Sequence, residues 1–328
     1  MIDINSTEDN ILKYISKEEK MNKNENIVVL NGGNSPEREI SLISGKEVFK
    51  ALKNVYKNTQ RIDPSDFKSY SELIISLKKN NPIVVNMLHG GFGENGHLQS
   101  LLEMEKIPFT GSGAKASMIA MDKFISGLLV NSIGIPVPEK KLFSKLSEIP
   151  LKIIEDFDGK IVIKPIDAGS SVGIHIIDDK DKIITAAEDA FKYSHNIIIE
   201  KFIEGRELTV TVLDGKAKPV VEIKPKNGWY DFKNKYSKGN TEYISPAKLS
   251  ENEKATIQSY AERIFSLFGC FAYSRIDFRY DGENFYFLEV NTLPGMTPLS
   301  LTPMSAKESG MEFIDLLNLL INLATKRS

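Results

Sequence analysis

Apolar residues fall into short unbroken runs near the start of the chain and into helical or alternating spacings further on. The run Ile27-Val28-Val29-Leu30 has the length of a strand buried on both faces and ends in Asn31-Gly32-Gly33. Ser35-Pro36 reads as a helix cap with proline in the first helical position, and Ile40, Ile43, Val48 and Leu52 mark the helix that follows. A second buried strand is predicted from Ile83 to Leu88, running into His89-Gly90-Gly91. Strand, glycine loop and helix, repeated, predict a parallel sheet covered by helices. Residues 1–26, rich in Asn, Lys and Glu, read as an extension outside that fold.

Past residue 111 the texture changes. Helices are predicted over 114–122 and 123–133, ending at Gly134, and then strands at 161–165 and 173–178, a helix near 183–193 and a strand at 196–203. Residues 206–225 read as a hairpin turning at Asp214-Gly215. Residues 226–248 hold the only tryptophan with several Tyr, Lys and Asn and no periodicity, the texture of a functional lid. Ser250 and Glu253 form a capping box for a helix that stops at Gly269. Strands at 272–280 and 285–291 flank Asp281-Gly282, and an amphipathic helix over 312–326 closes the chain. The pattern divides into an α/β unit at 27–110 and two α+β units at 111–203 and 204–328, the last carrying the lid.

Charge narrows the partners. With 42 basic and 44 acidic side chains the chain lacks the excess that neutralises nucleic-acid phosphates along a surface. Cys270 is the only cysteine, so an internal disulfide is excluded, and its apolar surroundings predict a buried, inert thiol. No apolar run has the length of a membrane span, and the first ten residues are acidic and polar, the reverse of a signal peptide. The expectation is a cytoplasmic protein that engages neither nucleic acid nor membrane.

Three constellations carry chemistry. Arg275 and Asp277 alternate onto one face of a strand, as do Glu289 and Asn291 on its neighbour. A hairpin symmetric about Glu283 sets Asp277 opposite Glu289, giving an all-oxygen site suited to Mg²⁺. The competing reading is a solvated face with an Arg–Asp salt bridge, which fits less well with the apolar remainder of both strands. Lys164 ends the apolar strand Ile161-Val162-Ile163 and is followed by Gly169-Ser170-Ser171-Val172-Gly173, whose backbone N–H groups can approach phosphate oxygens. Neither phosphate-loop nor dinucleotide fingerprint is present, which weakens a nicotinamide-dependent oxidoreductase. Glu200-Lys201-Phe202-Ile203 and Glu207 offer acceptors and an apolar wall for a nucleoside, and read equally well as an ordinary strand end. Glu37, next to a helix start, and His89, after a buried strand, are candidate ligand contacts; His97, His175 and His195 have no metal-ligand spacing.

Five motifs in order then resemble the D-alanine–D-alanine ligases: Ser35-Pro36-Glu37-Arg38-Glu39-Ile40-Ser41-Leu42; His89-Gly90 with Gly93-Glu94-Asn95-Gly96; Gly111-Ser112-Gly113 with Met121-Asp122-Lys123; Lys164-Pro165 with Gly169-Ser170-Ser171-Val172-Gly173; and Glu289-Val290-Asn291-Thr292-Leu293-Pro294-Gly295-Met296-Thr297. The resemblance covers residues 27 to the end and implies the ATP-grasp fold, an N-terminal parallel-sheet α/β domain followed by two domains that clasp ATP. It implies that Lys123, Lys164 and Ser171 hold the phosphates and Glu200, Lys201, Ile203 and Glu207 the adenosine. It further implies that Asp277, Glu289 and Asn291 bind two Mg²⁺, with Mn²⁺ as a substitute, and that Arg275 and the Gly295 amide stabilise the tetrahedral intermediate. Glu37 and His89 would meet the first D-alanine, and Lys235, Ser300 and Leu301 the second. Tyr236, through Ser170 and Glu37, would help deprotonate the attacking amine. A cytoplasmic homodimer feeding cell-wall synthesis is implied as well. Asn95 in place of an Asp, Leu293 before Pro294-Gly295, and Pro298-Leu299 before Ser300 depart from the family pattern, the last near the second-substrate pocket. A ligase taking D-lactate or D-serine second and a catalytically silent nucleotide-binding protein are the alternatives; Tyr236 disfavours the first, and the presence of Arg275, Asp277 and Glu289 the second.

Overall fold

The computed structural model describes residues 23–169, 171–226 and 240–327. Three sheets follow one another along the chain. The first holds β1 (Asn26–Leu30), β2 (Asn58–Ile62) and β3 (Ile83–Asn86), all parallel in the order β2-β1-β3. Its alternating side chains fill two cores, Ile27, Val29, Ile83 and Val85 one and Val28, Leu30 and Val84 the other. This is the doubly covered parallel sheet that unbroken apolar runs predict. β2, of sequence NTQRI, carries no such run and was not anticipated; pairing with β1 defines it.

The helix after Ser35-Pro36 begins at Arg38, not at Pro36, with Glu37 as its N-cap and no side-chain cap bond. The Ser35 hydroxyl accepts the N–H of Glu37, just ahead of the helix, at 3.2 Å and donates to the His89 carbonyl at 2.5 Å. That bond ties the first glycine loop to the one after β3, and it places Glu37 in the molecule.

The second sheet runs β4-β7-β5-β6, antiparallel throughout, from β4 (Lys140–Phe143), β5 (Ile161–Pro165), β6 (His175–Ile177) and β7 (Ile197–Lys201). Ile161, Ile163, Ile197 and Ile199 face the helix Ile183–Ala190, each fully buried. Each such isoleucine contributes about 1.5–3 kcal/mol. The other face mixes Lys140, Lys164 and Glu200 with Val162, Ile198 and Leu142.

The third sheet orders β11-β10-β8-β12-β13, with β9 on the side of β8. Its strands are β8 (Arg206–Leu213), β9 (Lys216–Ala217), β10 (Val221–Pro225), β11 (Thr241–Ile244), β12 (Tyr273–Tyr280) and β13 (Phe285–Asn291). The hairpin at Asp214-Gly215 forms, but its return arm is split into β9 and β10. Residues 240–248 were expected to lie in a structureless segment; Thr241–Ile244 instead pairs antiparallel with β10. The edge of β10 supplies the hydrogen bonds that the segment's own pattern does not announce. Residues 227–239, the rest of the expected lid, lie outside the described residues.

The long helix Glu251–Phe268 has both bonds of its capping box and ends on Gly269 in the left-handed region. It covers the third sheet together with Ala116, Ala120 and Val130 from the helices Ala114–Met121 and Lys123–Ser132. The last helix, Phe313–Thr325, packs Leu316, Leu317 and Leu320 into the core beneath the first sheet. No described helix is long and apolar enough to cross a membrane.

Candidate active site

On the second sheet, register decides which side chains share the face turned away from the core. Glu200 pairs with Lys140 on one side and Val162 on the other, and Lys164 lies two residues along from Val162. Lys140, Glu200 and Lys164 therefore point the same way, away from the isoleucine core. Lys164 Nζ stands 2.5 Å from one Glu200 carboxylate oxygen and Lys140 Nζ 3.2 Å from the other. All three side chains are buried. Burial alone pushes the Glu200 carboxyl up, but the charges of Lys164 and Lys140 outweigh it and hold the group below its ordinary range. Lys140 is pulled below the usual lysine range by burial, with Glu200 opposing.

Lys123 begins a helix and is buried; its ammonium donates to the Ala168 carbonyl at 2.9 Å and reaches Glu289 at 3.5 Å. It bridges the glycine turn of the second sheet to β13 of the third. Ser171 in that turn has a φ of 61°, the left-handed region that side-chain-bearing residues uncommonly occupy. Ser170 lies outside the described residues, as do Lys235 and Tyr236.

The Glu37 carboxylate is lodged between two glycines. A Cβ at Gly169 would stand 3.0 Å from Glu37 Oε2, and one at Gly90, whose φ is 65°, would overlap the same oxygen. The N-terminal motif, the His89-Gly90 loop and the glycine turn after Lys164 thus converge on one carboxylate. His89 is buried, with Nε2 3.3 Å from Ser44 Oγ. Burial and then the Arg275 charge push its pKa down to about 4, so the ring is neutral at physiological pH. Glu94 accepts the Gly90 N–H at 3.0 Å. Burial, then the charges of Glu37 and Glu289, push it up to about 7.

On the third sheet, Ile276, Phe278 and Tyr280 enter the core while Arg275, Asp277 and Arg279 take the other face. The hairpin is not symmetric about Glu283: Tyr280 pairs with Phe285 and Phe278 with Phe287. That register, continued, would set Asp277 against Leu288. A bulge after Phe287 shifts it by one, and Asp277 lies opposite Glu289 with Arg275 opposite Asn291. The expected juxtaposition is present, through a bulge that no sequence pattern signalled.

Asp277 is held on several sides. Arg275 donates through Nε and Nη2 at 2.9 and 2.8 Å, and the Thr209 hydroxyl donates at 2.5 Å. The Asn291 side-chain oxygen accepts the Leu293 N–H at 3.1 Å. Among the described residues no three His, Cys, Asp or Glu side chains form a metal cluster; the register brings two carboxylates, Asp277 and Glu289, beside the Asn291 amide. Such hard oxygen donors, few in number and oriented by fixed donors behind them, fit Mg²⁺.

The nucleoside candidates surround the connection between β7 and β8. Arg279 donates to the Ile203 carbonyl at 3.1 Å, reaches Glu207 at 3.5 Å and lies over the Phe202 ring at 5.3 Å. A cleft of about 600 Å³ opens there, lined by Lys160, Lys201, Phe202, Ile203 and Tyr286 among others. Gly295 lies against Ser300, whose hydroxyl accepts the Thr297 N–H at 3.0 Å. Ser300 caps the helix Leu301–Glu308 without a side-chain cap bond, and Leu301 packs on Val221 and Ile223.

Sequence reasoning missed Lys140, Glu94, Thr209 and Arg279. Strand alternation from Arg275 and Asp277 points to Arg279. Lys140 gave no signal, since Lys140-Lys141 reads as a solvated pair until register sets it opposite Glu200.

Comparison with known proteins bears on this arrangement. Two family models match: "D-ala D-ala ligase N-terminus" over residues 57–112 and "D-ala D-ala ligase C-terminus" over residues 129–322. The chain is 41% identical over 305 residues to the D-alanine--D-alanine ligase of Glaesserella parasuis, covering 92% of this chain and 99% of that one. It is 41% identical over 298 residues to the D-alanine--D-alanine ligase of Aquifex aeolicus, covering 90% and 99%. Among solved structures, the D-alanine--D-alanine ligase of Bacillus anthracis complexed with ATP superposes with a TM-score of 0.79 at 29% identity, covering 92% and 97%. The VanG D-Ala:D-Ser ligase of Enterococcus faecalis gives 0.76 at 30%, covering 92% and 99%.

Proposed function

The chain belongs to the D-alanine–D-alanine ligase family, with its ATP-grasp fold, and from that premise we propose how its residues join two D-alanines with ATP for peptidoglycan synthesis. A carboxylate is a poor acyl donor. One oxygen of the first D-alanine's carboxylate therefore takes the γ-phosphoryl group of ATP and ADP leaves; the amine of the second D-alanine then attacks the carbonyl carbon, releasing phosphate and a proton.

The observation that carries this reading is Lys123. Its ammonium joins the glycine turn after Lys164 to Glu289 on β13, so cationic and anionic groups of the two sheets meet at one place. In the proposal Lys123, Lys164 and Ser171 bind the phosphates, while Glu200, Lys201, Ile203 and Glu207 bind the adenosine. Asp277, Glu289 and Asn291 would hold Mg²⁺, two ions in the full site, which neutralises charge on the transferring phosphoryl group. Glu37 receives the first D-alanine's ammonium beside neutral His89. Arg275 and the Gly295 amide offset the developing oxyanion. Ser300 and Leu301, at a helix N-terminus where N–H groups favour an anion, take the second D-alanine's carboxylate with Lys235. Tyr236 and Ser170 assist removal of the amine proton, and the site must keep water from the acyl phosphate until the amine attacks.

The three sheets span residues 26–86, 140–201 and 206–291, which supports a division into units at 27–110, 111–203 and 204–328 to within one residue. We place the enzyme in the cytoplasm, where ATP is made, as a homodimer, with no nucleic-acid or membrane partner. Phosphate release from ATP with D-alanine, D-serine, D-lactate or L-alanine, singly and in pairs, tests the reading. D-alanine with Mg²⁺ is expected to give D-alanyl-D-alanine; turnover without Mg²⁺, or with L-alanine at an equal rate, overturns it.

A further inference from the structure

The face of the second sheet holds one lysine to which the reaction gives no part. Lys140 has a side chain 6% exposed, and no described group hydrogen-bonds its ammonium. The Glu200 oxygen 3.2 Å away is also without a well-aligned bond. Buried polar groups are nearly always hydrogen-bonded, and a buried charge is costly unless paired. The cluster Lys140–Glu200–Lys164 therefore holds two cations around one anion, with the charge of Lys123 adding to the excess. Space has been made for it. Gly127, inside the helix Lys123–Ser132, lies against Lys140, and a Cβ there would stand 3.0 Å from Nζ. Glycine in a helix interior is destabilising relative to alanine, and here it leaves room for an ammonium.

Lys164 has two claims on it. Its ammonium is 2.5 Å from Glu200, yet the proposed reaction needs it on the phosphates. Moving it there alone would strip a buried carboxylate of its closest counter-charge. We propose that Lys140 is a positioning residue of the nucleotide site, retaining Glu200 as a paired, fixed carboxylate when Lys164 turns from it to the phosphates of ATP. This rests on the functional reading above. Lys140 does not touch the phosphates; it lowers the cost of releasing the lysine that does. The depressed pKa of Lys140 agrees with an ammonium short of compensation.

The test is calorimetric binding of ATP, ADP and adenosine to the full chain without D-alanine, using wild type, K140M, K140R and G127A. Loss of Lys140 is expected to weaken ATP and ADP roughly tenfold. Adenosine affinity should stay within about twofold, because only phosphate binding draws Lys164 from Glu200. K140R should restore most of the loss. G127A, which keeps every charge and presses on Nζ, should reproduce the pattern more weakly and carries the test if K140M does not fold. In an E200Q background, which removes the carboxylate needing a partner, K140M should cost less than about twofold. A folded K140M that binds ATP like wild type, an equal loss of ATP and adenosine, or an undiminished loss in E200Q overturns the role of Lys140. Wild-type protein that binds neither ATP nor adenosine overturns the functional reading itself.

Discussion

On the second sheet, two lysines surround one buried carboxylate; on the third, two carboxylates are held by Arg275, Thr209 and Lys123. Each cluster sits on the face of its sheet turned away from a hydrophobic core. They leave opposite surpluses. The lysine cluster keeps positive charge with unused donors, which suits phosphate oxygens. The carboxylate cluster offers oxygen lone pairs oriented from behind, which suits a cation. A nucleotide and its metal supply the two missing charges together, so the difference between the sheets assigns each part of the ligand to a side.

The sharpest way to break this comparison is to remove charge from the anionic side. Glu289→Gln should lower kcat on the order of 10³-fold while circular dichroism and Tm stay near wild type. A folded variant with near-normal kcat would mean that the third sheet does not hold the metal. On the cationic side, Lys164→Met should weaken ATP binding roughly 10–100-fold, as loss of charge-assisted bonds in a buried site requires. A smaller effect than that of Lys140→Met would reverse the order of the two lysines.

Between the clusters stands Glu94, raised to about 7 by burial and then by Glu37 and Glu289. A carboxyl whose folded pKa lies above its unfolded value contributes stability that is present below about 4.5 and lost as pH rises through about 7. Glu94→Gln should therefore gain Tm relative to wild type between pH 5 and pH 8, by about 2 °C. His89, shifted in the opposite direction, is common to both proteins and cancels in the difference. A difference independent of pH would mean that neighbouring cations already compensate Glu94. The mildest probe is Thr209→Val, which takes one donor from Asp277 and should cost about 1 kcal/mol in denaturant unfolding. No loss would show that Arg275 alone suffices to hold that carboxylate.

Much of the molecule was determined by the sequence. The apolar runs at 27–30 and 83–86 required a doubly covered parallel sheet, because alternating side chains on such a strand have no polar side to present to water. The Ser250 capping box, Gly269 and Asp214-Gly215 acted through local backbone chemistry and stand where they were expected. The five motifs carried the resemblance to the ligase family to which the chain belongs. Tertiary structure decided the rest. β2 and β11 have no periodicity of their own and exist because a neighbouring edge offers hydrogen bonds. The Ser35 hydroxyl reaches the His89 carbonyl 54 residues away, and a bulge after Phe287 turned Glu289 toward Asp277. Lys140 became part of the site only when β4 paired with β7 in the register that sets it opposite Glu200. In each case the deciding contact joins residues far apart in the chain, and local pattern carries no information about which distant strand or loop will supply the partner.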